Sequence, residues 1–546
     1  MDRRIFLKTV VAAGVASTLL DACTAKEQVV GGGATAGGTL DFLDVALTRS
    51  FDPATSQNMP ITELGWLHRR LTGWDVAPGT AVKLVPDMAT DTGRSGDGGR
   101  AWTYTLKDGL AFSDGSPVTS ADVKWSLERS FAPAFAGGLN YHKSLLVGGA
   151  DYRGPFGGQD LASIETPDQK TIVFHLVRPY GDWPWITSTP AFAAVPQGKG
   201  ANPDYGDHPV ATGPYQVALF QQGVQITLGR NPRWVRATDQ IRTALPDQIV
   251  IELALDDLVI SQRLIADNGD DRDAFGPVFS PAQLANAAGN PSVKPRLVAS
   301  PGGALDFLAL NTQKAPLDDP AVRRAFQYAV DKHAFQVAVA GSPALAGELA
   351  TTLITPGVAG REVFDLYPAP PGGDPAKARQ MLAAAGYPAG LRNLEFAAPS
   401  TDDPPSQALA YALGQAGIQV SFHVVPDLSS LLSTYHLAWA SWQPDYPSPN
   451  ANIEPLFASY EISGGTNLSH YANPEVDRMI ARAQSILDPV AADRAWGAID
   501  RQVMADSPAV PLIYQRNTFM HGSQLGDFFI GGFAPYPNFL RMGIIR

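Results

Sequence analysis

The chain has one cysteine, Cys23, among 546 residues, so it can form neither an intramolecular disulfide nor a paired-cysteine metal site. A G-x-S-x-G elbow, an H-E-x-x-H helix and a Walker loop are also missing, which leaves serine-hydrolase, zinc-protease and nucleotide-driven chemistry without their usual marks. The histidines stand at 68, 142, 175, 208, 333, 423, 436, 470 and 521, none four residues from another. No helical metal pair can form from them, and neither a metal nor a cofactor is expected. The carboxylate pairs Asp270-Asp271 and Asp318-Asp319 fall in a polar loop and at a helix start, where solvation and capping explain them. No nucleophile, base and oxyanion group can be named as a set, so the chain is not expected to be an enzyme. Basic runs interleaved with aromatics are absent beyond the N-terminus, and acids outnumber bases 53 to 41. Nucleic acid is not an expected partner of such a chain.

What is present is a large apolar fraction, 45% of residues, enough for a sizeable core divided among roughly three domains or sub-domains at this length. The first 22 residues read as an export signal, with Arg3, Arg4 and Lys8 ahead of an apolar-to-small stretch, Thr9 to Leu20, that is too short to span a bilayer. Its start, RRIFLK, resembles the twin-arginine motif of substrates exported already folded. Its end, LDAC, resembles a lipobox, which makes Cys23 the expected lipidated first residue of a chain held on the extracytoplasmic side of the cell membrane. A net charge of −12 would be repelled by an anionic bilayer, so attachment must rest on more than one acyl chain. Residues 23–37 are small, Gly-rich and aperiodic, the composition of a flexible tether.

Beyond Gly38, short strand patterns alternate with capped helices, the mark of a mixed α/β protein. Asp319-Pro320, Asp374-Pro375 and Asn473-Pro474 each supply an N-cap and a first-turn proline to an apolar stripe at helical spacing. Strands are expected in TLDFLDVAL, TIVFHLV, IQVSFHVV and AVPLIYQ. In the third, Val420, Phe422 and Val424 should face the core while His423 faces water.

The segment WTYTLKDGLAFSDGSPVTSADVKWSLER, Trp102 to Arg129, resembles the signature of family 5 of the extracytoplasmic solute-binding proteins of ABC importers, which includes oligopeptide, dipeptide and nickel binders. Further matches follow in family order: ATGPYQV at 211, LGRNPRW at 228, ALNTQKAPLDDPAVRRAFQYAVDK at 309, PAKARQMLAAAGY at 375, NLSHYANPEVD at 467 and AVPLIYQ at 509. The resemblance implies a two-lobed, periplasmic-binding-protein-like α/β fold of type II, in its large three-sub-domain variant, with strands crossing the hinge. It implies lobe 1 in 38–72, 196–298 and 513–546, a sub-domain insertion at 73–195, and lobe 2 at 299–512. The implied function is a monomeric receptor that captures short peptides between its lobes and delivers them to a membrane permease. A nickel chelate, haem or an oligosaccharide is the alternative ligand, and a secreted hydrolase the remote alternative.

One stretch carries the expected site: AWASWQPDYPSPN, 438–450. It sets Asp445 among tryptophans, a tyrosine and prolines. Pro444 and Pro447 fix one φ each beside the acid and restrict the residues before them, so it would need little ordering on binding. A carboxylate about 4 Å from an ammonium gains roughly 4 kcal/mol at an effective dielectric near 20, before desolvation. In the family's peptide binders a Trp-x-x-Asp element holds the ligand's α-ammonium, which implies that role for Trp442 and Asp445, with Tyr446 as a further apolar wall. The other reading is that Asp445 closes a Pro-rich turn. Asp52-Pro53 matches the family's early Asp-Pro, and the resemblance puts Gln57, Asn58 and Met59 in a loop that pairs with the ligand main chain as an added strand would.

Overall fold

A computed structural model describes residues 33–425 and 435–546. The expected signal sequence, Cys23 and the tether up to residue 32 lie outside the described residues.

Two large sheets dominate the fold. The first has seven described strands in the spatial order Leu297–Ala299, Thr518–His521, Ala274–Pro277, Thr39–Leu43, Gln248–Glu252, Gln225–Arg230, Tyr215–Gln221. Thr39–Leu43 lies at its centre, parallel to both neighbours and buried from Leu40 onward, where Leu40, Phe42 and Leu43 pack as a central parallel strand requires and Asp41 is buried with them. The second has six, in the order Gly347–Leu349, Ala509–Gln515, Ala304–Leu310, Leu437–Trp442, Leu391–Ala398, Ile418–Val424. Ala304–Leu310 and Leu437–Trp442 are buried at every position.

The chain passes between these sheets at 300–303 and returns at 516–517. The two crossings are bonded to each other: Ser300 N–H donates to Asn517 O and Asn517 N–H to Ser300 Oγ, both at 2.9 Å. This is a two-lobed α/β fold with hinge-crossing strands.

Between residues 73 and 195 lies a separate four-stranded antiparallel sheet, ordered Arg94–Gly96, Ala101–Thr105, Thr171–His175, Ile164–Glu165. Its two central strands alternate buried and half-buried residues, and the helix Ser120–Ser130 belongs to the same stretch.

Local chemistry sets the helix starts. Asp319 Oδ1 accepts from Ala321 N at 2.8 Å, Asp374 Oδ1 from Lys377 N at 2.9 Å and Asn473 Oδ1 from Glu475 N at 2.9 Å, opening the helices Pro320–Ala329, Pro375–Ala384 and Pro474–Ser485. Thr119 N and Oγ1 donate to the Asp122 carboxylate at 2.8 and 2.7 Å, anchoring Ser120–Ser130 at its first turn.

One strand expectation fails. Val420 and Phe422 are half-buried, but Val424 is 57% exposed, at the end of Ile418–Val424, the outermost of the described strands of its sheet.

Buried ion pairs fasten the insertion to the first lobe. Arg129, the last residue of the signature segment, donates through Nη2 and Nη1 to the Asp52 carboxylate at 2.7 and 3.3 Å, and both side chains are fully buried. The guanidinium also lies 4.7 Å from the Phe135 ring centre and 5.1 Å from that of Tyr205. A second group joins Arg69 to Asp87 at 2.8 Å, Arg242 to Asp87 at 2.9 Å and Arg242 to Asp239 at 3.1 Å. Burial alone would raise the Asp239 pKa, but Arg242 and Arg69 outweigh it and hold the carboxyl well below the usual range.

Candidate functional site

The strand Leu437–Trp442 ends at the hinge side of the second lobe, where Trp442 pairs with Leu305 just past the first crossing, and the helix Asn450–Phe457 starts eight residues later. The connecting loop carries Pro444, Pro447 and Pro449, and Asp445 sits within it, only 6% exposed. The Tyr141 hydroxyl, from the short helix Tyr141–Leu145 of the insertion, donates to Asp445 Oδ2. The Trp442 indole donates to Ala451 O at 2.8 Å, which fixes the ring against the helix that follows the loop.

Around this point the insertion and the second lobe meet through buried polar groups. Tyr446 packs edge-on against Tyr141, ring centres 5.5 Å apart. Asn450 Nδ2 donates to Tyr180 Oη at 2.7 Å and lies 3.3 Å from Tyr446 Oη. Burial pushes both phenols well above their ordinary pKa, so they stay neutral. Ser448 Oγ donates to Asp182 Oδ2 at 2.6 Å. Burial lifts the Asp182 carboxyl to about 6, against the lowering pull of its bonds to Ser448 and Asn450.

Beside Asp445, Tyr141 and Trp442 lies a cavity of about 520 Å³, a volume within the range of small-ligand sites. Its charged lining residues are Lys143, Arg153 and Arg178 from the insertion, and Asp445, Glu454 and Glu461 from the second lobe. Arg178 Nη2 lies 3.7 Å from Glu454 Oε1, and Glu454 accepts from Tyr460 Oη at 2.7 Å.

Of the expected site residues, Asp445 and Trp442 lie on this wall, and Tyr446 is buried behind it without lining it. Gln57, Asn58 and Met59 are not brought to the cavity. Gln57 Nε2 donates to Gly137 O at 2.6 Å and Asn58 Nδ2 to Glu63 Oε1 at 2.9 Å, while Met59 is buried in the hydrophobic core. These side chains hold their own loop against neighbouring protein. Tyr141, Lys143, Arg153, Arg178, Glu454 and Glu461 escaped sequence reasoning. None sits in a stretch read as a motif; tyrosine and charge cluster modestly near 141–153 and 454–461, and nothing in the sequence set Arg178 apart.

A two-lobed fold with a polar cavity between lobe and insertion defines the class as an extracytoplasmic solute-binding protein. The family model described as "Bacterial extracellular solute-binding proteins, family 5 Middle" matches residues 83–464, and the chain belongs to that family. Among curated relatives, the "Glutathione-binding protein GsiB" of Escherichia coli O1:K1 / APEC is 27% identical over 556 residues, covering 97% of each chain. Among solved structures, "Clavulanic acid biosynthesis oligopeptide binding protein 2" is 31% identical with a TM-score of 0.85, covering 95% of this chain and 99% of its own. The periplasmic binding protein DppA from Helicobacter pylori, solved with the peptide STSA, shares the fold at a TM-score of 0.73 and 20% identity, over 94% of this chain and 99% of its own. No helix among the described residues is long and apolar enough to cross a membrane.

Proposed function

We propose that this protein is the substrate-binding component of an ABC importer, a receptor rather than an enzyme, that captures short peptides and passes them to the permease. The observation that carries the reading is Asp445: a carboxylate 6% exposed, on a cavity wall, in a proline-braced loop beside a tryptophan whose ring is fixed. A buried carboxylate facing a ligand cavity suits a cationic group that arrives with its own desolvation already offset by the site. The α-ammonium of a peptide is such a group, and Tyr141 supplies a hydroxyl that can keep the carboxylate oriented. The names of the relatives, glutathione-binding and oligopeptide-binding, agree with a short-peptide ligand.

In this reading lobe 1 comprises 38–72 and 196–298 and resumes beyond the second crossing, near 518, since Ala509–Gln515 pairs wholly within the second lobe's sheet. The insertion is 73–195 and lobe 2 runs from the first crossing to the second. Cys23 anchors the chain to the membrane by lipid, and the protein acts as a monomer.

The test is calorimetric titration of native protein and Asp445→Asn with free and N-acetylated forms of one peptide, the peptide being chosen by mass spectrometry of ligand released from the purified protein. Losing one partner of a buried charge pair costs about 2–5 kcal/mol, so either change alone should weaken binding by that amount. The two losses should not add, because both remove the same contact. Equal affinity of native protein for free and acetylated peptide would overturn the reading, as would release of a nickel chelate, haem or an oligosaccharide in place of peptides.

A further inference from the structure

The insertion is joined to its two neighbours in different ways. Toward the first lobe it is fastened by buried ion pairs, Arg129 with Asp52 and Asp87 with Arg69 and Arg242. Toward the second lobe it meets a seam of single polar contacts. Gly181 N–H donates to Gln484 O at 2.7 Å, Asn450 Nδ2 to Tyr180 Oη at 2.7 Å and Ser448 Oγ to Asp182 Oδ2 at 2.6 Å. Arg178 reaches over the seam to Gln484 Oε1 and lies 3.7 Å from Glu454. Parting a buried ion pair costs far more than parting neutral groups that water can then satisfy, so the seam is where the cavity opens.

Asp182 is the odd member of this seam. It precedes the short helix Trp183–Ile186, yet its side chain caps nothing there and turns to the second lobe instead. The groups that bond it from that lobe, Ser448 and Asn450, are buried and neutral. Tyr446, on the loop before Asn450–Phe457, and Tyr180, on its own segment, stay neutral as well. Glu454 of the helix Asn450–Phe457 and Asp493 of the helix Pro489–Asp506 face it as acids, and Gln484 of Pro474–Ser485 carries no charge. The base of the seam, Arg178, is engaged with Glu454 and Gln484. The carboxyl therefore meets hydrogen bonds and like charge across the seam, and its own burial there lifts it from 3.8 to about 6. Parting the seam returns it to water and toward the ordinary value. Closing thus takes up a proton between those two values. The gain is complete below 3.8 and is lost as pH rises through about 6.

We propose that Asp182 makes the joint between the insertion and the second lobe a proton-sensitive clasp, closed more firmly in acid and quicker to release ligand near neutrality. This rests on the reading of the protein as a receptor that closes around its ligand, whatever that ligand is.

The experiment follows the seam without ligand and with it. In ligand-free protein the amide of Gly181, whose bond crosses the seam, gives a hydrogen-exchange protection factor at pH 5 and pH 7 once intrinsic exchange is divided out. The same proteins then release a tripeptide with a free amino terminus in stopped flow at both values, a range in which its ammonium stays largely charged. From pH 5 to pH 7 native protein should lose roughly 5- to 10-fold in protection and release the tripeptide faster by a like factor. Asp182→Asn keeps the shape and an acceptor for Ser448 but cannot titrate, and should show neither change. Ser448→Ala removes a bond that lowers the carboxyl, so it should carry the transition to higher pH, a shift that a merely structural role of the joint would not produce. Thermal melts confirm that each variant is folded. Protection that is absent at Gly181, or that varies with pH alike in native protein and Asp182→Asn, overturns the clasp. Release that ignores pH while protection changes overturns it too. If protection behaves as expected and the tripeptide does not bind, the peptide reading falls and the clasp stands.

Discussion

Removing one half of the Asp52–Arg129 pair should destabilise the protein more than the loss of a single bond would suggest, and removing both halves should cost less than the sum. Both side chains are fully buried, so a lone survivor keeps its desolvation cost without its partner. In Arg129→Met the carboxylate of Asp52 retains only short-range help such as Ala54 N at 2.9 Å. In Asp52→Ala the guanidinium retains Gly200 O at 2.6 Å and its two aromatic neighbours. Breaking a buried pair in this way costs about 3–5 kcal/mol. The double variant Asp52→Ala/Arg129→Met carries no buried charge, and methionine still fills space against Phe135 and Tyr205. Its loss should therefore fall short of the sum by at least about 2 kcal/mol, the coupling expected of residues in direct contact. Urea denaturation followed by tryptophan fluorescence closes the cycle. Single losses below about 1 kcal/mol, or strict additivity, would refute the reasoning.

Two further outcomes follow from other parts of the chain. Cys23→Ser should release the exported protein from the membrane fraction, since no other thiol is available for lipid, and detergent-dependent retention of that variant would contradict the anchor. Burial, reinforced by Glu252 and Asp270, lifts the Asp41 carboxyl from 3.8 to about 7, so the folded state holds a proton that the unfolded chain has released, and this residue's contribution is lost as pH rises through 7. Asp41→Asn should accordingly gain on native protein by about 1–4 kcal/mol between pH 4 and pH 8, read as the difference in their melting profiles, and a difference that does not change with pH would contradict it.

Much of the fold was legible because its signals are local. Asp319, Asp374 and Asn473 each cap a helix through an oxygen two or three residues from the amide it accepts, and such a device is complete within one turn of sequence. TLDFL and AVPLIYQ read as buried strands because nearly every position faces protein. Val424 was misplaced because alternation reports only which residues share a face. Whether anything covers that face depends on the strand's place in the sheet, and Ile418–Val424 came to lie at the edge.

The site divides along the same line. Trp442 and Asp445 could be singled out because prolines and aromatics cluster around them, whereas Tyr141, which bonds Asp445, stands 304 residues away in a helix too short to show a period. Gln57, Asn58 and Met59 do not line the cavity: Gln57 bonds Gly137 of the insertion, Asn58 bonds Glu63 and Met59 lies in the core, and composition alone cannot say which neighbour such a loop meets. The signature segment shows the converse. Thr119 and Asp122 start a helix, and Arg129 at its end reaches Asp52 of the early Asp-Pro motif, so two matches far apart in sequence are halves of one buried ion pair. One joint between insertion and first lobe is thus written into the family's motifs, while Lys143, Arg153, Arg178, Glu454 and Glu461 of the cavity lining come from stretches for which no motif was read. The Asp52–Arg129 pair lies apart from the residues that line the cavity, so the contacts that make the fold recognisable are separate from those that would meet a ligand, and a family name by itself leaves the solute open.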